Sequence, residues 1–307
     1  MHSMKKIALA GLLGSVATLA QAELIYGITT TGVLNRFDSA SAGTVTSIGA
    51  VSGVVAGQTL RGVDFRPSDG QLYAMSSSGA AAQLYTINLA TGAATAIGAG
   101  LTLTGNTSTR ISLDFNPVAN ALRVVTGGGQ SYRVNANTGA LILQDTSIAT
   151  PAGVVPLISG VAYTNNVAGA TSTTLYAYDF NLDNLGTIGG IGGVPSPNTG
   201  VFNIVGNSGV VSGNAGAGFD ISGATGIAYL SFDDLLGSPD IQPEFYSMNL
   251  ATGVVTQIGD FGTVDLLDFS VQPIAVRVPI AGTLSLAALG LLLVGGAGRR
   301  RKVAAAA

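Results

Sequence analysis

From residue 62 to residue 270 the chain restates one pattern about every fifty residues, and that period leaves few folds open. GVDFRP at Gly62, SLDFNP at Ser112, GFDIS at Gly218 and LLDFS at Leu266 each set an aspartate between apolar residues. GVAYTN at Gly160 keeps the pattern with Ala162 in the aspartate position. The first two run on as DFRPSDGQLYAMS and DFNPVANALRVVT. Proline cannot donate to a strand ladder, so each reads as a hairpin with its proline just past the first strand.

A second hairpin follows each of these. QLYTINLATGAATAIG at Gln83, SYRVNANTGALILQ at Ser131, EFYSMNLATGVVTQIG at Glu244 and VLNRFDSASAGTVTSIG at Val33 alternate apolar and polar residues on both arms. The glycine between the arms tolerates the positive φ such a turn needs. TTLYAYDFNLDNLGTIG, continuing to GVFNIVG, is a further unit with a longer connection.

Two hairpins make a four-stranded unit, with first strands near residues 62, 112, 160, 218 and 265. The last unit holds only VDLLDFSVQ at Val264–Gln272, and the N-terminal part from LIYGITT at Leu24 holds only the complement. Closure of a ring accounts for both fragments. The expected fold is therefore all-β, a five-bladed β-propeller over residues 23–273 closed by its N- and C-terminal strands. Its blades are 264–272 with 24–49, then 62–98, 111–144, 159–205 and 217–259. An open β-solenoid or a two-sheet sandwich is the alternative.

Composition narrows the chemistry. The chain has no cysteine, and its one histidine, His2, lies in a segment expected to be removed. Thiolate nucleophiles, His-based triads and ordinary zinc sites are thereby excluded from the body. Residues 23–277 carry seven arginines and no lysine against all sixteen carboxylates, a net charge near −9. A body that acidic is unsuited to a phosphate backbone, so no nucleic-acid partner is expected.

Both ends carry addresses. Lys5 and Lys6, an apolar stretch Ile7–Leu19 and the small-x-small Ala20-Gln21-Ala22 read as a signal peptide over residues 1–22, cleaved after Ala22 following passage through a Sec translocon. Residues 274–307 hold an uncharged run, Val278–Gly298, followed at once by Arg299, Arg300, Arg301 and Lys302. That run is about the ~20 residues needed to span a bilayer, with the basic end cytoplasmic and the body outside.

Val278-Pro279, an apolar span containing GLLLVGG and the terminal RRRK resemble a C-terminal sorting signal of the PEP-CTERM type. The resemblance implies an exosortase, a membrane transpeptidase, as partner, with transient anchorage in the inner membrane followed by the cell surface or extracellular matrix. Ile280 and Ala281 stand where that family has Glu and a second Pro. The body, through its LYGIT-, DFRP- and LYTIN-ATGAAT-type phrases over nearly all of residues 24–270, also resembles a family of exported bacterial proteins of unknown function.

Candidate site residues are few. Asp64, Asp114, Asp220 and Asp268 would face one axis if the first strands line the channel, and four carboxylates there could hold a cation such as Ca²⁺. A structural role, with each Asp accepting from the backbone of a neighbouring turn, is the favoured expectation. Arg61, Arg66, Arg110, Arg123 and Arg133 are expected to salt-bridge to that series, with an anionic or sugar-acid ligand as the alternative. Asp233, Asp234, Asp240 and Glu244 read as solvated loop charge, and GTIGGIGGVPSPNTG at Gly186–Gly200 as a flexible interblade loop. The function expected is a non-enzymatic binding or structural protein, with exopolysaccharide or another glycan as ligand, no catalytic residue and no required cofactor. A carboxylate-dependent glycan-active enzyme is the alternative.

Overall fold

A computed structural model of the chain describes residues 22–105, 110–213, 218–232 and 243–273. Alternating apolar and Thr/Ser/Asn positions, interrupted at Gly and Asn turns, form twenty strands in these residues. In chain order they begin with β1 (Leu24–Thr29), β2 (Val33–Asp38) and β3 (Thr46–Ala50). Next come β4 (Thr59–Phe65), β5 (Leu72–Ser78), β6 (Ala81–Ile87) and β7 (Ala94–Thr102). They continue with β8 (Ile111–Asn116), β9 (Ala121–Thr126), β10 (Ser131–Val134) and β11 (Leu141–Gln144). The fourth set is β12 (Ile158–Tyr163), β13 (Leu175–Asp179), β14 (Asn184–Ile188) and β15 (Phe202–Asn207). The last is β16 (Gly218–Ile221), β17 (Ala228–Phe232), β18 (Glu244–Met248), β19 (Val255–Asp260) and β20 (Leu266–Val271).

Every pairing within a sheet is antiparallel, and the strands form five four-stranded sheets ordered β20-β1-β2-β3, β4-β5-β6-β7, β8-β9-β10-β11, β12-β13-β14-β15 and β16-β17-β18-β19. The first strand of each sheet adjoins the first strands of the sheets before and after it, around to β20. The structure is a five-bladed β-propeller, here numbered with the β20-containing sheet as blade 1. Ring closure is by β20 against β1, with Gly27 opposite Phe269 and Ile25 opposite Val271. Without β20, β1 would present an open edge.

Burial falls from axis to rim. First and second strands are buried on both faces, β5 and β13 almost throughout, whereas the fourth strands β7, β11 and β19 are largely exposed. Five apolar clusters each fill the gap between two consecutive blades. Each fully buried Leu, Ile, Val or Phe contributes roughly 1.5–3 kcal/mol. The apolar richness of the body therefore belongs to interblade packing. At the closure between blades 5 and 1, Phe37 sits edge-on to Phe245, Phe261 and Phe269, with ring centroids 5.4, 4.9 and 6.3 Å away.

Turn chemistry is repeated with the blade. Asn88 Oδ1 accepts from the N–H groups of Ala90 and Thr91, Asn135 Oδ1 from Asn137 and Thr138, and Asn249 Oδ1 from Ala251. The glycine closing two of these turns meets the preceding blade's rim. A Cβ on Gly139 (φ +69°) would stand 2.2 Å from the Ile97 carbonyl oxygen, and one on Gly253 (φ +82°) 2.5 Å from that of Gly206. The second NLATG phrase is thus both a bend and a docking point between blades.

The Gly186–Gly200 region departs from expectation. It joins β14 to β15 within blade 4 instead of linking blades, and it is ordered by two single-turn 3-10 helices, Ile191–Gly193 and Pro197–Thr199. The Ser196 side chain accepts from Asn198 N, and Gly190 N donates to the Pro195 carbonyl, so the connection holds its own shape. Residues 1–21 of the expected signal segment and the sorting tail lie outside the described residues, as do Val278, Pro279, Arg299, Arg300, Arg301, Lys302, Asp233, Asp234 and Asp240, whereas Glu244, expected as solvated loop charge, opens β18 and is buried. Among the described residues, no helix is long and apolar enough to cross a membrane.

Candidate functional site

The four aspartates lie on the innermost strands β4, β8, β16 and β20, and all four are buried. Each accepts a backbone N–H from the first strand of the next blade. Phe115 N donates to Asp64 (2.7 Å), Tyr163 N to Asp114 (3.0 Å), Val271 N to Asp220 (2.6 Å) and Val63 N to Asp268 (2.9 Å). The partners are neighbouring strands, where turns were expected, because the first strands of adjacent blades run side by side with no ladder between them. The carboxylates replace the missing ladder. Blade 4, with Ala162 in place of Asp, has no such carboxylate to offer blade 5.

One oxygen each from Asp64, Asp114 and Asp220 lies within 4.8 Å of the other two. A hard cation could be bracketed at that spacing, but the same carboxylates are already engaged by amides. Burial raises all four carboxyl groups: Asp220 to about 6, and Asp64, Asp114 and Asp268 well above the ordinary range, with the Asp220 charge adding to the burial effect at each of the three. Ser270 Oγ shows where a proton is held. It accepts from Phe65 N at 3.1 Å and stands 2.7 Å from Asp64 Oδ1 and 2.9 Å from Asp220 Oδ2. A hydroxyl donates once. Both contacts are satisfied when one of the two carboxyls is protonated and donates to Ser270, and Ser270 donates to the other.

The arginines do not join this series. Arg66 pairs with Asp69 (3.1 Å), and Arg123 and Arg133 both pair with Asp145, at 2.6 and 2.9 Å. Arg61 Nε donates to Ser77 Oγ (3.0 Å), and the Arg110 guanidinium lies 4.8 Å over the Phe180 ring. Arg123 and Arg133 are on second and third strands, one and two strands farther from the axis than the aspartates, so they meet a carboxylate of their own blade.

Those two arginines wall a cleft of about 250 Å³ between blades 3 and 4. The β8–β9 turn forms one side; the loop Thr164–Thr174 and the β14–β15 connection form the other. Arg123 is fully buried and donates to Tyr163 Oη (3.3 Å), Ser131 Oγ (2.8 Å), Asp145 (2.6 Å) and Asn198 Oδ1 (2.6 Å). Arg133 reaches Asp145 through Nε and Nη2. Tyr163, Asp145 and Asn198 were not singled out by sequence reading. Asn198 is 75 positions from Arg123, and nothing local marks the pairing.

Residues 33–270 match the family described as a domain of unknown function, DUF4394. The chain belongs to that family. A search of curated proteins finds no match. Among solved structures, the DUF4394 chain is similar to an engineered GH43 glycoside hydrolase with endo-xylanase and exo-arabinofuranosidase activity, at 11% identity and TM-score 0.50, over 82% of this chain and 52% of that one. The chain thus spans about half the length of that hydrolase, and the likeness is one of fold. A chain of the nidogen/laminin complex (12% identity, TM-score 0.47, 82% of this chain and 98% of that one) and TolB from Acinetobacter baumannii (12%, 0.43, 82% and 67%) are also similar.

Proposed function

We propose that this DUF4394 protein is an exported, surface-associated or matrix propeller that binds a glycan without turning it over. In this reading residues 1–22 direct export through the Sec translocon, and residues 274–307 hold the protein in the inner membrane until an exosortase-type transpeptidase acts on the tail. The cleft between blades 3 and 4 is the observation that carries the binding role. It is concave and lined by hydroxyls and amides as well as the two arginines, the mixture a polyhydroxylated ligand requires. The channel aspartates suit catalysis poorly, since a general acid and a nucleophile must reach a glycosidic oxygen. Here their oxygens are engaged by backbone amides inside the ring.

The test is retention of the full chain, in detergent, on immobilised neutral and acidic polysaccharides, with reducing ends assayed in parallel. Retention without new reducing ends is expected. Ala119→Trp, which places a large ring in the cleft from an exposed turn position, is expected to abolish retention. Release of reducing ends, or no retention on any polymer, overturns the reading. For the export half, N-terminal sequencing of the cell-envelope fraction should begin at Glu23. A tail found intact on cell-bound protein, with no released form, overturns sorting.

A further inference from the structure

The charge balance of the cleft between blades 3 and 4 is uneven in a way that names a ligand class. Two guanidinium groups, Arg123 and Arg133, face one carboxylate, Asp145, and no residue lining the cleft carries a negative charge. Asp145 is 2% exposed and Arg123 2%, while Arg133 is 27% exposed. One positive charge is therefore left over in a half-buried wall, within a body that is otherwise strongly acidic. A partly buried excess charge favours a counter-ion beside it.

The unused donors are placed for that counter-ion. Arg133 commits Nε and Nη2 to Asp145 and leaves Nη1 with no protein partner among the described residues. Arg123 holds the Asn198 Oδ1, so the Asn198 Nδ2 remains as a donor on the cleft wall. The Thr171 and Ser172 hydroxyls line the same cavity. A planar guanidinium edge matches a carboxylate, and hydroxyls with an amide match ring hydroxyls.

We infer that the cleft takes a sugar carboxylate, a uronic-acid residue of an acidic polysaccharide, with Arg133 as the carboxylate-binding residue. This rests on the proposed glycan-binding reading and narrows it. The probes are polygalacturonate, its fully methyl-esterified form, neutral dextran and dextran sulfate, titrated against the full chain at low and high NaCl. Polygalacturonate is expected to bind at least about tenfold more tightly than its ester, since a charge-assisted hydrogen bond contributes about 1.5–3 kcal/mol. Binding should weaken with salt. Arg133→Gln, at a partly exposed position, is expected to erase most of that preference while circular dichroism and the melting midpoint confirm the fold.

Equal binding of acid and ester, or an unchanged preference in Arg133→Gln, overturns the inference. So does tighter binding of dextran sulfate than of polygalacturonate at matched charge. Retention of dextran alone overturns the inference and leaves the glycan-binding reading standing. Retention of none of the four removes both.

Discussion

At the scale of single residues, the structure separates positions that look alike in the repeats. Gly139 and Gly57 both have positive φ, +69° and +80°. Around Gly57 nothing lies within 4 Å of a built Cβ, whereas at Gly139 the Ile97 carbonyl would be 2.2 Å away. Gly57→Ala should therefore cost only backbone strain, about 1 kcal/mol. Gly139→Ala adds a collision with the backbone of blade 2 and should cost about 3 kcal/mol or more. Urea unfolding of the two variants checks this, and equal midpoints would show that the rim contact between blades is loose. The same distinction applies to charge: Arg133 is available to a ligand, whereas Arg123 is surrounded by four protein acceptors and is expected to fail as a binding variant by failing to fold.

At the scale of elements, the closing blade depends on a residue just ahead of β1. Glu23 is buried, and its carboxylate accepts from Ser222 Oγ, from Thr225 Oγ1 at 3.0 Å and from Tyr229 Oη at 2.9 Å, all in blade 5 or its β16–β17 turn. Its backbone N donates to Ser39 Oγ at 2.9 Å. The residue that would become the mature N-terminus is thus fastened to the blade that precedes β1 around the ring. Glu23→Ala leaves two buried hydroxyls, those of Ser222 and Tyr229, without their acceptor and is expected to destabilise the propeller by about 2–4 kcal/mol. Denaturant midpoints at constant slope test it; a loss under 0.5 kcal/mol would mean that β1 is held by its ladder with β20 alone. The element boundaries themselves were readable, because period-two alternation and Asn/Gly turns recur in every blade. The β14–β15 connection differs from the interblade loop its glycine-rich sequence suggests, because its order comes from bonds within itself and from Arg123 and Thr174 outside it.

At the scale of the whole molecule, the ring of first strands is held by carboxylates that prefer to be protonated. The folded-state pKa of Asp220, about 6, lies above its unfolded value near 3.9, so folding binds a proton. Stability from that group is complete below about pH 4 and declines as pH rises toward 6. Asp64, Asp114 and Asp268, also raised by burial, add to the decline in the same direction. The melting midpoint should accordingly be higher at pH 5 than at pH 8, with Asp220 alone accounting for a stability difference on the order of 1 kcal/mol. Asp64→Asn presents an acceptor to Phe115 N and a donor to Ser270 Oγ in neutral form. It should raise the midpoint at pH 8 and flatten the pH dependence. A midpoint that rises with pH, or an Asn variant less stable at pH 8, would show the carboxylates ionised and held by another charge.

Period and turn chemistry were enough, in sequence alone, to determine five blades, their spans and the closure of β20 on β1, because strand alternation and turn φ requirements are local properties. The absence of cysteine and of any histidine beyond His2 likewise limited the chemistry without a fold. Which carboxylate each arginine meets, and that the channel aspartates bridge first strands of adjacent blades, was decided only in three dimensions. The aspartate bridges join residues from 49 to 205 positions apart, and they depend on how the blades pack around the axis. No pattern along the chain records that distance.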